Sequence, residues 1–136
     1  MCKEWIYKRI VMTQDKELLL KDLCARLPYE VKVLYDNQVE KLQYIEPMYN
    51  EVRLLNYIMN YTVDIEEVKP YLFPLSSMTE EQKEEMNSFD PFQTAETKTL
   101  GQWAFHLVDF YNKHHFDYRG LIEKGLAIDA TGLNIY

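Results

Sequence analysis

Val31-Lys32-Val33-Leu34-Tyr35-Asp36-Asn37-Gln38-Val39-Glu40-Lys41-Leu42-Gln43-Tyr44-Ile45-Glu46-Pro47 is the stretch that decides the fold class. Val31, Val33 and Tyr35 alternate with Lys32 and Leu34, the period of an extended strand. Asp36-Asn37 follows, and both residue types tolerate the left-handed backbone of a tight hairpin turn. Val39 to Glu46 returns as a further strand with Leu42 and Tyr44 on one face, and Pro47 ends it because proline cannot donate to a ladder. From Glu51 to Tyr61, the residues Val52, Leu54, Leu55, Tyr57 and Ile58 read as a third strand. Apolar residues there also recur at three-to-four spacing, which leaves a helix open.

Upstream of the hairpin, Thr13 is placed to cap a helix running to about Arg26. Asp15 and Glu17 in its first turn and Arg26 in its last suit the helix dipole, and Glu17 with Lys21 forms an i,i+4 pair. Leu19, Leu20, Leu23 and Leu27 supply its buried stripe, Cys24 reads as a core residue beside them, and Pro28 stops it. Downstream, Asp64 to Val68 predicts a short helical turn, and Tyr71-Leu72-Phe73-Pro74-Leu75 reads as a connector over the core rather than a strand. Thr79-Glu80-Glu81-Gln82 and Thr99-Leu100-Gly101-Gln102 are two capping boxes. The first opens a polar helix to about Asn87, whose acidic run reads as a solvated face. The stretch from Asp90-Pro91 to Thr97 reads as a loop. The other box opens a helix to about His114 with Leu100, Trp103, Leu107, Phe110 and Tyr111 inward and Phe105 and Val108 widening the apolar face, which makes it the candidate central helix. Asp117 to Leu126 predicts one more short helix between Gly120 and Gly125, and Ile128 to Tyr136 a final docked extended segment. The expected fold is α+β: a small antiparallel sheet of two to three strands packed against helices, in the order helix–strands–helices. Residues 13–136 are expected to form the single domain, with residues 1–12 as an N-terminal extension; should Met12 be the usual start, residues 1–11 precede it.

The chain has 136 residues, 47% hydrophobic and 27% charged, which is a globular composition. Its net charge of −7, with no block of Lys or Arg, disfavours a nucleic-acid partner, although Lys32, Lys41 and Arg53 could gather on the folded surface. Cys2 and Cys24, without a CxxC pair, fit a reduced, cytoplasmic setting. No apolar run approaches the roughly 18 residues of a membrane span. Eleven tyrosines can serve a core, a pocket or an interface, and leave a homodimer open.

His114-His115-Phe116-Asp117-Tyr118-Arg119-Gly120-Leu121-Ile122 is the densest run of chemical groups in the chain. His106, His114 and His115 with Asp109 and Asp117 are suitable metal-ligand types, but no HExxH or HxH spacing brings them together, and no metal site is assigned. His115 and Asp117 could orient an imidazole for acid–base work, with Arg119 holding an anion. The competing structural assignment is that histidines favour a helix C-terminus and Asp117 caps the following segment near Arg119 or Gly120. There is no Walker A loop and no GxGxxG, so no cofactor is expected; tyrosines stacking on a base, with Arg119 or Arg53 on a phosphate, remain as a non-standard nucleotide site. Tyr118 and Arg119 are the two residues without a structural role in this scheme.

Lys16-Glu17-Leu18-Leu19-Leu20-Lys21-Asp22-Leu23 with Ala25-Arg26-Leu27-Pro28-Tyr29, then Val68 to Glu81, then His115 to Ile122 with Gly125-Leu126-Ala127, resemble three signature blocks of small proteins found in phages, prophages and mobile elements of gut Bacteroides-type bacteria. The blocks cover under half the chain; Lys32 to Asp64 and Phe89 to Tyr111 do not match in detail. Glu30 stands where the resemblance leads one to expect Gly, and Phe110-Tyr111-Asn112 where it leads one to expect Trp-Leu-Asn. The resemblance carries no reaction. It implies an accessory role inside a bacterial host, with His115, Asp117, Tyr118, Arg119 and Tyr71 as candidate binding or signature residues. The expected function is non-enzymatic: a protein–protein adaptor or inhibitor of a host process, with a host protein as partner and Lys32 to Tyr61 as recognition surface. A nucleotide-type ligand site using tyrosines and Arg119, and a hydrolase-like site using His115 and Asp117, are the alternatives.

Overall fold

In the computed structural model the backbone is described for residues 3–55, 61–88 and 99–136, with side chains from residue 14 onward except at residue 61. The expected loop at 90–97 and the middle of the expected third strand lie outside the described residues. The long first helix, α1, spans Lys3–Arg26, so Thr13 lies inside it rather than at its N-cap. The chain then forms β1 (Lys32–Tyr35), β2 (Gln38–Glu46), β3 (Glu51–Leu55), β4 (Tyr61–Asp64) and β5 (Lys69–Pro74). Helices α2 (Glu80–Asn87) and α3 (Leu100–Lys113) follow, then two-residue strands β6 (Phe116–Asp117) and β7 (Ile128–Asp129).

These strands make one seven-stranded sheet in the order β4-β3-β2-β1-β5-β6, with β7 also on β5. The sheet is therefore neither small nor purely antiparallel, as the sequence had suggested. β1 to β4 form an antiparallel meander, and β1 also pairs antiparallel with β5, whereas β5 pairs parallel with β6 and with β7. Parallel pairing needs a long crossover, and α2 and α3 supply it between β5 and β6. The segment read as a connector is thus the strand that joins both halves of the sheet. Its prolines are tolerated because Pro70 sits near the start of β5 and Pro74 is its last residue. The two-residue strands are too short to show any period.

Asp36 and Asn37 both have positive φ, as the hairpin turn requires. A register shift between Leu42 and Tyr44 marks a bulge in β2. It places Leu42 in the core and Tyr44 in solvent, so these two do not share a face. α1 covers the inner face of the sheet: Leu19 and Leu23 pack with Val31, Val33, Val52 and Leu54, all nearly inaccessible. Cys24, by contrast, is exposed.

Both capping boxes are formed, Thr79 with Gln82 and Thr99 with Gln102. α3 is nevertheless not central. Phe110 is buried, Trp103 and Leu107 are half-buried, and Leu100 and Phe105 are largely exposed. Only the last turns of α3 reach the body of the fold, and α1 is the helix at its centre. Residues after Asp117 form turns rather than the expected helix, because Gly120 and Gly125 both take left-handed backbone and interrupt it.

Candidate functional site

Positions 19, 22, 23, 26 and 27 share one face of α1, and two of them are charged. Asp22 and Arg26 have no solvent exposure. Arg26 Nε donates to Asp22 Oδ2 at 2.7 Å, and its Nη2 donates to Asp22 Oδ1 at 3.1 Å and to the Phe116 carbonyl at 2.6 Å. One buried pair thereby ties the central helix to β6.

Tyr118 and Arg119 complete this cluster. The Arg26 and Arg119 guanidiniums lie 5.2 and 5.1 Å from the Tyr118 ring centroid. Tyr118 Oη donates to Asn112 Oδ1 at 2.9 Å, and Arg119 Nε stands 3.4 Å from Asp22 Oδ1. Burial pushes the Asp22 carboxyl above its ordinary range, against the hydrogen bond from Arg26 and the charges of Arg26 and Arg119. Asp117, close enough to raise it further, accepts from the Leu121 and Ile122 amides at 2.9 Å each. Asp22 thus faces two guanidiniums with Asp117 nearby, and the formal charges of the four groups balance. Asp117 caps a turn, two residues further along than the sequence suggested.

His115 is buried next to this cluster with left-handed backbone (φ 61°) at the end of α3, a position that usually takes glycine. Its ring stacks on Tyr136, centroids 3.6 Å apart and planes within 11°. Burial, then the charges of Arg26, His114 and Lys32, lower its basicity to about 4, so it is uncharged at neutral pH. His114 caps α3 and lies 3.3 Å from Glu85 of α2. His106 and Asp109 are exposed elsewhere on α3. Among the described residues no group of three His, Cys, Asp or Glu side chains converges as a metal site would require. Tyr71 is buried in β5, with its carbonyl accepting from Tyr136 Oη.

His115, Asp117, Tyr118 and Arg119 are therefore gathered around α1, in a structural arrangement. Asp22, Arg26 and Tyr136 were not singled out as site residues from sequence. The opposite charges at i and i+4 inside a leucine stripe were the available signal for Asp22 and Arg26. Tyr136 offered none.

Among the described residues, the other face of the β1–β4 meander is uncovered. Alternation from the buried Val33, Leu42, Val52 and Leu54 puts Lys32, Lys41 and Leu55 in one cross-strand row, and Tyr44, Arg53 and Thr62 in the next. Tyr44 is 48% exposed and Leu55 43%, and the Arg53 guanidinium lies 5.7 Å from the Tyr44 ring centroid. Met48 and Tyr49, in the β2–β3 turn, are more exposed still.

No family model matches the chain, and neither does any curated protein or any solved structure. Function is therefore read from geometry. An open hollow of about 360 Å³ lies between α1 and the start of β5, with Leu19, Val68 and Leu126 among its lining residues and a Lys16–Glu66 ion pair at 3.2 Å on its wall. None of the candidate residues lines it. No helix among the described residues is long and apolar enough to cross a membrane.

Proposed function

We propose that this chain is a non-enzymatic binding protein whose recognition surface is the open face of the β1–β4 meander. The observation that carries this reading is the exposed set Tyr44, Arg53, Leu55, Met48 and Tyr49 on and beside two adjacent strands. Tyr, Arg and Met are the residue types that interface centres favour. Arg53 lies between Lys41, which is paired with Glu30, and the acidic row Glu46, Glu51 and Asp64, so the partner is a protein surface of apolar groups that meets charge of both signs at its edges. The setting follows the resemblance to phage and mobile-element proteins: the cytoplasm of a bacterial host, where the chain acts as an adaptor or an inhibitor of a host process.

The hydrolase-like and nucleotide alternatives have less support. The His115 ring is stacked on Tyr136, the Asp117 carboxylate accepts from two backbone amides, and the Arg119 side chain stands against Asp22 and Tyr118, while His115 Nδ1 and Arg119 Nε are buried without a hydrogen bond. A reacting group or a phosphate would have to displace these contacts first.

Affinity capture from host lysate with mass spectrometry tests the reading when wild type is run beside Leu55→Asp with Arg53→Glu, and beside Arg119→Ala. The expected result is a partner retained by wild type and Arg119→Ala and lost by the sheet-face double variant. Capture that survives the sheet-face changes but fails with Arg119→Ala would place the surface at the wrong end of the molecule.

A further inference from the structure

Tyr136 occupies a place that the β-ladder leaves to it. β1 and β5 pair through Val33–Pro70 and Leu34–Lys69, and the same register continued by one position sets Lys32 opposite Tyr71, beyond the last ladder pair. The Lys32 amide and the Tyr71 carbonyl meet there through the Tyr136 hydroxyl, which accepts from the first at 3.0 Å and donates to the other at 2.8 Å. The phenol ring is stacked on His115, tilted against Phe73 with centroids 6.0 Å apart, and lies 5.7 Å from the Lys32 ammonium. Tyr136 as a whole is 43% exposed, but burial around its hydroxyl pushes that group up to about 12, so it stays protonated and keeps its donor.

We infer that this slot is an exchangeable tyrosine-binding site at the border of the docking face, held shut by the chain's own Tyr136 and opened when a partner's tyrosine takes its place. The inference rests on the proposed recognition surface, because Lys32 belongs to the same row as Lys41 and Leu55. The segment that delivers Tyr136 touches the body of the fold at two places. Near its start the Ala130 amide bonds to the Leu72 carbonyl, and at Tyr136 the hydroxyl contacts are joined by Lys32 Nζ donating to the Ile135 carbonyl at 2.7 Å. Between these points Thr131 to Asn134 are exposed and form a turn whose hydrogen bonds, Thr131 to Asp129 and Leu133 to Ala130, are all local to the segment, so release of Tyr136 breaks none of them.

The chemistry of the slot selects its occupant. An apolar ring would cover the Lys32 amide and the partly buried Tyr71 carbonyl without pairing either, and each polar group so covered costs stability. A phosphorylated ring would set anionic oxygens, which have no proton to donate, against the Tyr71 carbonyl. A phenol satisfies both groups and stacks on the uncharged His115 ring.

The test uses p-cresol, the bare tyrosine side chain, against toluene, with NMR titration of the full chain as wild type, Tyr136→Ala and Tyr136→Phe. In wild type the resident ring competes, so p-cresol binds Tyr136→Ala about tenfold more tightly, with shifts at Phe73, His115 and Lys32. Toluene binds that variant at least about tenfold more weakly than p-cresol, because it cannot satisfy the amide and carbonyl. Equal p-cresol affinity for wild type and variant, no binding to either, or parity between p-cresol and toluene would each overturn the inference. Should Tyr136→Ala not fold, Tyr136→Phe keeps the stack and carries the same comparison, again tighter than wild type. No partner protein enters this titration, so its failure removes the slot alone, whereas failed capture at Leu55 and Arg53 removes the docking face.

Discussion

The run from His114 to Ile122 and the meander from Lys32 to Leu55 use their side chains in opposite ways. The former is rich in chemical groups, and the structure turns nearly all of them inward: His115 onto Tyr136, Asp117 onto two amides, Tyr118 and Arg119 around the buried Asp22–Arg26 pair. The meander is ordinary in composition, yet it presents Tyr44, Arg53 and Leu55 to solvent. Density of reactive residue types is therefore a poor guide to a working surface. A buried carboxylate needs partners, and supplying them concentrates arginine, tyrosine and asparagine in one place for purely structural reasons.

The largest effect expected from this contrast is at Arg26. Arg26→Ala leaves Asp22 buried without its bidentate partner and should cost about 3–5 kcal/mol in urea denaturation. The double change Asp22→Leu with Arg26→Met should recover most of that loss, since both charges then leave together. A single variant that unfolds at the wild-type midpoint would mean that the cluster is not structural.

The next effect is a pH dependence set by His115. Its folded value of about 4 lies below the ordinary 6.5, so the unfolded chain binds the proton more readily. The stability held by the neutral ring is complete above pH about 6.5 and is lost as pH falls toward about 4, a change of roughly 2–3 kcal/mol once solvent at the ring edge is allowed for. Asp22, raised by burial, works in the opposite sense, so the slope across the window from pH about 6.5 to about 5 is read against a variant that lacks the imidazole. His115→Phe keeps a stack on Tyr136 without a titrating group, and the wild-type loss toward low pH should be absent from it across that window. A slope unchanged in that variant would assign the effect elsewhere.

Parts of this arrangement were legible in the sequence. The hairpin, both capping boxes, the leucine stripe of α1 and the 3₁₀ turn after Asp64 rest on local chemistry, and each formed. Glu30, just after α1, has left-handed backbone at φ 60°, the conformation glycine adopts most readily. The sheet was underestimated because β5 is bounded by prolines and its parallel neighbours are two residues long. Those pairings are decided by tertiary contact, not by period. The bulge at Gln43 reversed the face of Tyr44, which alternation alone could not reveal. α3 showed the strongest helical stripe and yet leaves Leu100 and Phe105 exposed, since amphipathicity says which side could be buried but not whether anything covers it.

If the meander meets the partner while the His114–Ile122 cluster supports the fold, hydrogen–deuterium exchange of the captured complex against the free chain is the most direct measurement of that division. New protection is then expected at the amides of β2, β3 and the turn carrying Met48 and Tyr49, with the amides of residues 114 to 122 unchanged. Protection confined to residues 114 to 122, with β2 and β3 exchanging as in the free chain, would contradict it.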